Sequence, residues 1–345
     1  MKYKRPQRLQ KGDIVAIVSP SWGGPSRFPH VYENGLKVLE EWGLKIKEYP
    51  TARADADFLK KDHRARAKDI NDAFADKEIK AIFATIGGDD SVRLLPFLDR
   101  KLISENPKIL MGYSDTTTLL TFGNVSGFVT FNGPCIMAGF SQMENLSEDF
   151  KQHVHDMLFT PTETYEFKQY DSYSDGYLDW SKPENLGKVK ESKKSDGWRF
   201  IQGSGKVTGE LFGGCIEVLE FMKGTDYWAG KDFWNNKILF FETSEEKPSI
   251  DHVRWMLRNY GTQGIFDNIS AIIFGRARDY SDDEKKKLDE MIKNVVSDEF
   301  EKPELVIVTN MDFGHTDPQI VLPLGVSAEL DFENKTFKLT EPWLE

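Results

Sequence analysis

Only two cysteines, Cys135 and Cys215, and six histidines occur in 345 residues. Two thiols make no disulfide framework, and no Cys/His spacing suits a structural zinc site. No apolar run approaches the ~18 residues of a membrane-spanning helix. The opening residues, Met1-Lys2-Tyr3-Lys4-Arg5-Pro6, lack the apolar core of a secretory signal and lead directly into a strand, so the expectation is a cytoplasmic protein without a membrane partner. Positive charge is also scarce: the formal net charge of −11 argues against a nucleic acid polymer as partner, because counterion release needs clustered Lys and Arg. Short basic runs such as Lys285-Lys286-Lys287 sit beside Asp282, Asp283 and Glu284 and read as a solvated helix face. Internal repeats and low-complexity tracts are absent too.

What remains is a chain long enough for two ordinary domains, and its pattern alternates strand and helix. Gly12 to Pro20 is a short, nearly continuous β-branched strand, as expected when both faces are covered, and Ser21-Trp22-Gly23-Gly24-Pro25 follows as a Gly-rich loop. Leu36, Leu39 and Trp42 mark a helix stopped by Gly43; Leu44 to Tyr49 alternates as a strand; His63 to Phe74 is an amphipathic helix. Ala81 to Ile86 is a buried strand that meets a Gly87-Gly88 turn and a helix start continued by Leu94, Leu95 and Leu98. Ile109 to Met111 and Phe128 to Phe131 complete what reads as a doubly wound, Rossmann-like parallel sheet over residues 1–155.

Residues 156–204 change character, scattering Tyr165, Tyr170, Tyr173, Tyr177, Trp180 and Trp198 among Asp, Ser, Lys and Gly. Loops of this length are functional or disordered. The aromatics favour an ordered linker with a lid-like loop. Residues 205–345 form a second α/β domain: Gly205 to Cys215 as strand into a Gly213-Gly214 turn, then strands at Lys237–Glu242, Ile269–Phe274 and Leu305–Val308, and a C-terminal antiparallel hairpin around Glu333-Asn334-Lys335. The expected sheet is mixed.

Three strand ends break a buried apolar run with a residue fit for nucleophilic catalysis: Ser114, Glu242 and His315. Attack by a hydroxyl on an acyl carbon needs a base to take the proton and an acid to orient that base. Each residue also has a plain structural reading. Ser114 suits a helix cap, Glu242 a cap on the turn Thr243-Ser244-Glu245-Glu246, and His315 a loop histidine bonded to backbone. His30, His63, His153 and His155 occupy polar or helical surface settings, and His252 a polar turn-to-helix region.

Two familiar sites are set aside. Gly112-Tyr113-Ser114-Asp115-Thr116 lacks the second glycine of a Gly-x-Ser-x-Gly elbow, and Gly87-Gly88-Asp89-Asp90 is no Gly-x-Gly-x-x-Gly fingerprint; its aspartates would repel a pyrophosphate. The Gly-Gly turn can serve otherwise. Gly87 admits close approach of substrate to backbone, and the N–H groups near Gly88 and of Asp115 are candidates for an oxyanion hole.

Taken in order, Val18-Ser19-Pro20-Ser21, Ile86-Gly87-Gly88-Asp89, Gly112-Tyr113-Ser114-Asp115, Gly133-Pro134, Gly209 to Gly214, Phe241 to Glu246 and Gly314-His315-Thr316 resemble the LD-carboxypeptidase family of serine peptidases over nearly the whole chain. The resemblance implies a Ser114–His315–Glu242 triad split between two domains, no metal or other cofactor, and a cytoplasmic homodimer acting near a substrate's C-terminal end. Of two branches, one releases D-alanine from murein tetrapeptides. The other, typified by microcin C self-immunity peptidases, cuts peptidyl- or aminoacyl-nucleotide amides. The acid motif and the long aromatic loop look closer to the second. Trp180 and Trp198 are then candidates to stack on a nucleobase, with packing of the loop onto its own domain as the alternative, and Lys247 to pair with a substrate carboxylate or phosphate, with an exposed lysine as its alternative. Relatives commonly read Gly-Gly-Asn where this chain has Gly213-Gly214-Cys215, which leaves substrate preference open; Cys215 as nucleophile is a minor alternative. The rival from another class is a non-catalytic small-molecule binding protein.

Overall fold

The computed structural model describes residues 2–345, which build two sheets and a small third one. In chain order the strands are β1 (Ile14–Val18), β2 (Lys45–Glu48), β3 (Ile79–Ala84), β4 (Ile109–Gly112), β5 (Thr130–Asn132), β6 (Tyr165–Glu166), β7 (Ser172–Asp175), β8 (Lys193–Lys194) and β9 (Arg199–Gln202). They continue with β10 (Lys206–Cys215), β11 (Lys237–Glu242), β12 (Ala271–Gly275), β13 (Val306–Met311), β14 (Thr316–Asp317), β15 (Leu322–Leu324), β16 (Ser327–Asp331) and β17 (Thr336–Leu339). Among the described residues no helix is long and apolar enough to cross a membrane.

The first sheet runs β2-β1-β3-β4-β5-β15. Its first five strands are parallel, and β15, from near the end of the chain, pairs antiparallel with β5. The apolar runs of β1, β3 and β4 are covered on both faces, which is why they show no alternation. Strand order reverses between β1 and β3, so the loops leaving those strands open a crevice at the carboxyl edge, where such sheets bind ligands. Ser21-Trp22 and Gly87-Gly88 lie in those loops.

The second sheet is mixed, in the order β6-β17-β16-β10-β11-β12-β13-β9. Strands β10 to β13 form its parallel centre, and the remainder pair antiparallel on its flanks. The aromatic segment supplies both edges: β6 closes one and β9 the other, while β7 and β8 join β14 in the small sheet. One apolar core runs through both large sheets.

Several local expectations change. The segment after Gly87-Gly88 is a 3-10 helix, Ser91–Phe97, because Pro96 inside it removes a backbone donor an α-helix needs. Gly213-Gly214 is no turn; β10 continues through both residues to Cys215. Their use is close approach: a Cβ on Gly214 would stand 2.5 Å from the Thr117 side chain, and Gly214 has a φ of +148°. At that point Cys215 N–H donates to Thr117 Oγ1 at 3.1 Å, joining the second sheet to the turn that carries Ser114. His153 is buried rather than a surface residue. Its Nε2 accepts from Val321 N–H at 2.8 Å, and burial pushes its pKa down to about 3, so it is a neutral connector just ahead of β15.

Candidate active site

Strand β4 ends at Gly112, and the chain turns through Ser114, whose φ is +58°. A side chain in the left-handed region costs about 1–2 kcal/mol, and such strain concentrates at functional sites. The turn is held from beneath. The Asp115 carboxylate accepts from Asp90 N–H at 3.1 Å and Ser91 N–H at 2.8 Å, and the Ser91 hydroxyl donates to Asp115 O at 2.7 Å. Ser114 is therefore no ordinary cap: its side chain makes no capping bond to its own helix start.

His315 lies beyond the end of β13, and Glu242 is the last residue of β11. The His315 Nδ1–H donates to Glu242 Oε2 at 2.6 Å, and His315 Nε2 stands 3.0 Å from Ser114 Oγ. Both His315 and Glu242 are buried. Glu242 does not cap the turn after its strand. Glu217 does so, accepting from Ser244 N–H at 3.0 Å and from the Ser244 hydroxyl at 2.7 Å. Gly87 lies against the serine: a Cβ there would sit 2.9 Å from Ser114 Oγ and 3.3 Å from the Asp115 amide nitrogen. Gly88 has a φ of +153°, and a Cβ on it would collide with the Ser21 hydroxyl.

Glu245 adds a second carboxylate, its Oε2 2.9 Å from His315 Nε2. Burial opposes charge on the imidazole, but Glu242 and Glu245 outweigh it and push the His315 pKa up to about 10. The bond to His315 in turn draws the Glu245 carboxyl down to about 2. Burial raises Glu242, opposed by His315.

Two cavities meet at Ser114. One, of about 360 Å³, is walled by Trp22, Phe28, Tyr113, Tyr177 and Trp180, with Arg278 and His315 at its polar side. The aromatic wall interlocks edge to face, with centroids 6.1 Å apart for Trp22–Phe28 and 5.8 Å for Phe28–Trp180. Tyr177 bonds Tyr113 Oη at 3.0 Å and donates to Asp317 at 2.9 Å, which ties the aromatic loop to the serine turn. The other cavity, of about 630 Å³, carries Asp89, Glu217, Glu220, Glu245 and Glu246 in its wall and no Lys or Arg.

The structure thus brings together Ser114, Asp115, Gly87, Gly88, Glu242, His315 and Trp180. Two expected site residues lie elsewhere. Trp198 is buried, its Nε1–H donating to Asp312 Oδ2 at 2.7 Å beside a buried Arg276–Asp312 ion pair of 2.5 Å; it packs the loop to its own domain. Lys247 lines neither cavity, although its neighbours Glu246 and Pro248 line the acidic one; its φ is +49° and its ammonium pairs with Glu284 at 3.0 Å. Cys215 lines the acidic cavity, but burial pushes its thiol well up, which removes the thiolate a nucleophile needs. Trp22, Phe28, Glu245 and Arg278 escaped the sequence reading. Their signal was position: Trp22 and Arg278 follow β1 and β12 by a few residues, at the same carboxyl edge as Ser114 and His315.

Residues 15–133 match the LD-carboxypeptidase N-terminal domain and residues 208–330 the C-terminal domain of the same family. The chain belongs to the LD-carboxypeptidase family and is a serine peptidase, which sets aside the non-catalytic alternative. A protein of Vibrio cholerae named as a carboxypeptidase is 30% identical over 98% of each chain. The microcin C7 self-immunity protein MccF of Escherichia coli is 28% identical, covering 97% of this chain and 95% of that one. The structure of MccF in complex with aspartyl sulfamoyl adenosine superposes with a TM-score of 0.87 at 28% identity, over 99% of this chain and 100% of that chain. A Bacillus subtilis protein named for murein peptide carboxypeptidase activity is 27% identical over 97% of this chain and 94% of its own.

Proposed function

We propose that this serine peptidase hydrolyses the amide joining an aminoacyl or short peptidyl group to a nucleotide-like amine, and that Ser114, His315 and Glu242 are its triad. The observation that carries the reading is the chain of contacts from Ser114 Oγ to His315 Nε2 at 3.0 Å and from His315 Nδ1 to Glu242 at 2.6 Å, opening on an aromatic-walled cavity. Ser114 Oγ attacks the carbonyl carbon as His315 Nε2 takes its proton. The N–H groups near Gly88 and of Asp115 receive the oxyanion, while Glu242 holds the imidazole ring and offsets its charge. The C–N bond then breaks, with the Nε2 proton passing to the leaving nitrogen. Water repeats the sequence on the acyl-serine, giving a carboxylic acid and restoring Ser114.

Because the histidine must protonate the leaving nitrogen, the leaving group occupies the cavity that His315 lines. That cavity's aromatic faces suit a nucleobase, and Arg278 suits an anionic linkage, the role earlier assigned to Lys247. MccF, of the same family, was crystallised with aspartyl sulfamoyl adenosine and glutamyl sulfamoyl guanosine. The reading carries over the cytoplasmic homodimer that the family resemblance implies, which cell fractionation and light scattering check. The deciding test is mass spectrometry of products from an aminoacyl sulfamoyl adenosine and from a murein tetrapeptide. Release of sulfamoyl adenosine and the free amino acid is expected; release of D-alanine alone overturns the assignment in favour of the murein reaction.

A further inference from the structure

His315 Nε2 has one position to give, and two groups claim it: Ser114 Oγ at 3.0 Å and Glu245 Oε2 at 2.9 Å. The two claims are exclusive in chemistry. A base-competent imidazole presents a lone pair at Nε2 to the serine proton, and an ionised carboxylate, which only accepts, has no bond to make with a lone pair. The Glu245 contact exists when Nε2 carries a proton, the state in which His315 cannot deprotonate Ser114. Glu245 makes no other ion pair among the described residues, and half of its side chain is exposed. It lies on the exposed turn past β11 and lines both cavities, at the point where an acyl group bound on Ser114 would pass.

The acidic cavity identifies what would displace it. With the leaving group on the aromatic side, the acyl residue lies in the cavity walled by Asp89, Glu217, Glu220, Glu245 and Glu246. Glu217 is engaged by Ser244 and Glu220 by Lys223, whereas Asp89 and Glu246 make no ion pair among the described residues. A carboxylate on the acyl residue would meet repulsion there, and an ammonium group would find several acceptors.

We infer that Glu245 is a positioning residue that holds His315 out of its base form until an ammonium group on the acyl residue of the substrate draws the Glu245 carboxylate away. Acyl residues with a free amine or a basic side chain are therefore preferred over acidic or N-blocked ones. The inference rests on the proposed assignment of acyl and leaving-group sides. No bond between heavy atoms changes in the release: one ion pair, Glu245 with imidazolium, is exchanged for another, Glu245 with the substrate, and His315 gives its Nε2 proton to solvent before accepting the one from Ser114. The other groups that face the imidazole are Glu242, Asp317, Tyr113 and Arg278, none of which takes part in the exchange.

The test has two arms. First, the rate at which a fluorophosphonate probe labels Ser114 is followed from pH 6 to 10.5 in wild type, Glu245→Gln and Glu245→Asp. Labelling needs a neutral His315 and no knowledge of the substrate. Wild type should label slowly at neutral pH and rise along an alkaline limb. Glu245→Gln should shift that limb down by about one pH unit, equivalent to about tenfold faster labelling at pH 7, and Glu245→Asp should restore most of the wild-type profile. Superimposable profiles for wild type and Glu245→Gln overturn the proposal. Second, kcat and KM are compared for alanyl sulfamoyl adenosine and its Nα-acetyl form. Wild type should favour the free amine about tenfold or more in kcat, and Glu245→Gln should lose most of that preference; a preference retained in the variant also overturns the proposal. If wild type cleaves neither nucleoside substrate, the proposed function fails, while the labelling arm still decides the role of Glu245.

Discussion

Replacing Gly87 with alanine tests the proposed oxyanion hole with one methyl group. The added carbon would lie 2.9 Å from Ser114 Oγ and 3.3 Å from the amide nitrogen of Asp115. An oxyanion accepting from that amide must stand about 2.7–3.1 Å from its nitrogen. The methyl therefore takes the volume that the developing oxyanion needs. A donor of this kind contributes about 10²–10³ in kcat, so blocking the Asp115 amide alone should lower kcat/KM by at least about 10²-fold. Folding should suffer less. Gly87 is not among the glycines with positive φ, so an alanine backbone is tolerated, and the crowding against a serine side chain costs about 1–3 kcal/mol. Gly88 would be a poor choice, since its φ of +153° and its collision with Ser21 would mix misfolding into the result. The assay is kcat/KM on alanyl sulfamoyl adenosine by chromatography, with urea unfolding on the same samples. A folded Gly87→Ala protein within about fivefold of wild type would show that no oxyanion forms against this turn, a loss of under about 1 kcal/mol against the several expected.

Ser114→Ala and Ser114→Gly should both abolish turnover, yet the glycine variant should resist urea better by about 1 kcal/mol, because it relieves a φ of +58°; equal stability would deny strain at the turn. Trp180→Ala should weaken binding of the nucleoside portion by about 1–3 kcal/mol, read as KM, with only about 1 kcal/mol lost from the fold with its aromatic contacts. Trp198→Ala should do the opposite, costing about 3–5 kcal/mol in unfolding free energy through the loss of a buried ring and its bond to Asp312. Stability should also depend on pH through the Glu245–His315 pair. His315 is raised to about 10 in the folded state, so its contribution is complete below its ordinary pKa of about 6.5 and is lost as pH climbs through about 10. Wild type should therefore lose stability relative to Glu245→Gln between pH 7 and pH 10, by less than about 1 kcal/mol because Glu245 is half exposed. A pH-independent difference in urea unfolding would contradict the pairing.

Residues that end strands were legible, and residues that depend on where loops fold back were not. Ser114, Glu242 and His315 each interrupt a buried apolar run, and a parallel sheet delivers such interruptions to one edge. The aromatic segment carried no comparable rule. Trp180 and Trp198 are the same residue type in the same polar setting, yet one walls the cavity and the other anchors in the core. What separates them is long-range: Trp180 meets Phe28 at 5.8 Å, while Trp198 meets Asp312, itself held by Arg276. Lys247 shows the same dependence on long-range contacts. Its neighbours Glu246 and Pro248 line the acidic cavity, while its own ammonium pairs with Glu284. Glu245, two residues earlier, takes the place beside the histidine instead.

The seam between the sheets follows from the same logic. Ser114 belongs to the first sheet and its two partners to the second, so a 3.0 Å contact between Ser114 and His315 requires the sheets to dock to within a fraction of an ångström. Apolar burial brings surfaces together without fixing their register. Register comes here from features with a single geometry: the absence of a Cβ at Gly214 where it meets Thr117, the Cys215 N–H to Thr117 Oγ1 bond at 3.1 Å, and the return of β15 into the first sheet a few residues after His315. The glycine-rich end of β10, which first read as a turn, is better understood as the surface on which the serine turn rests. A side chain at Gly214 would collide with Thr117, three residues past Ser114, which couples the identity of that position to the Ser114–His315 contact and the chemistry proposed for it.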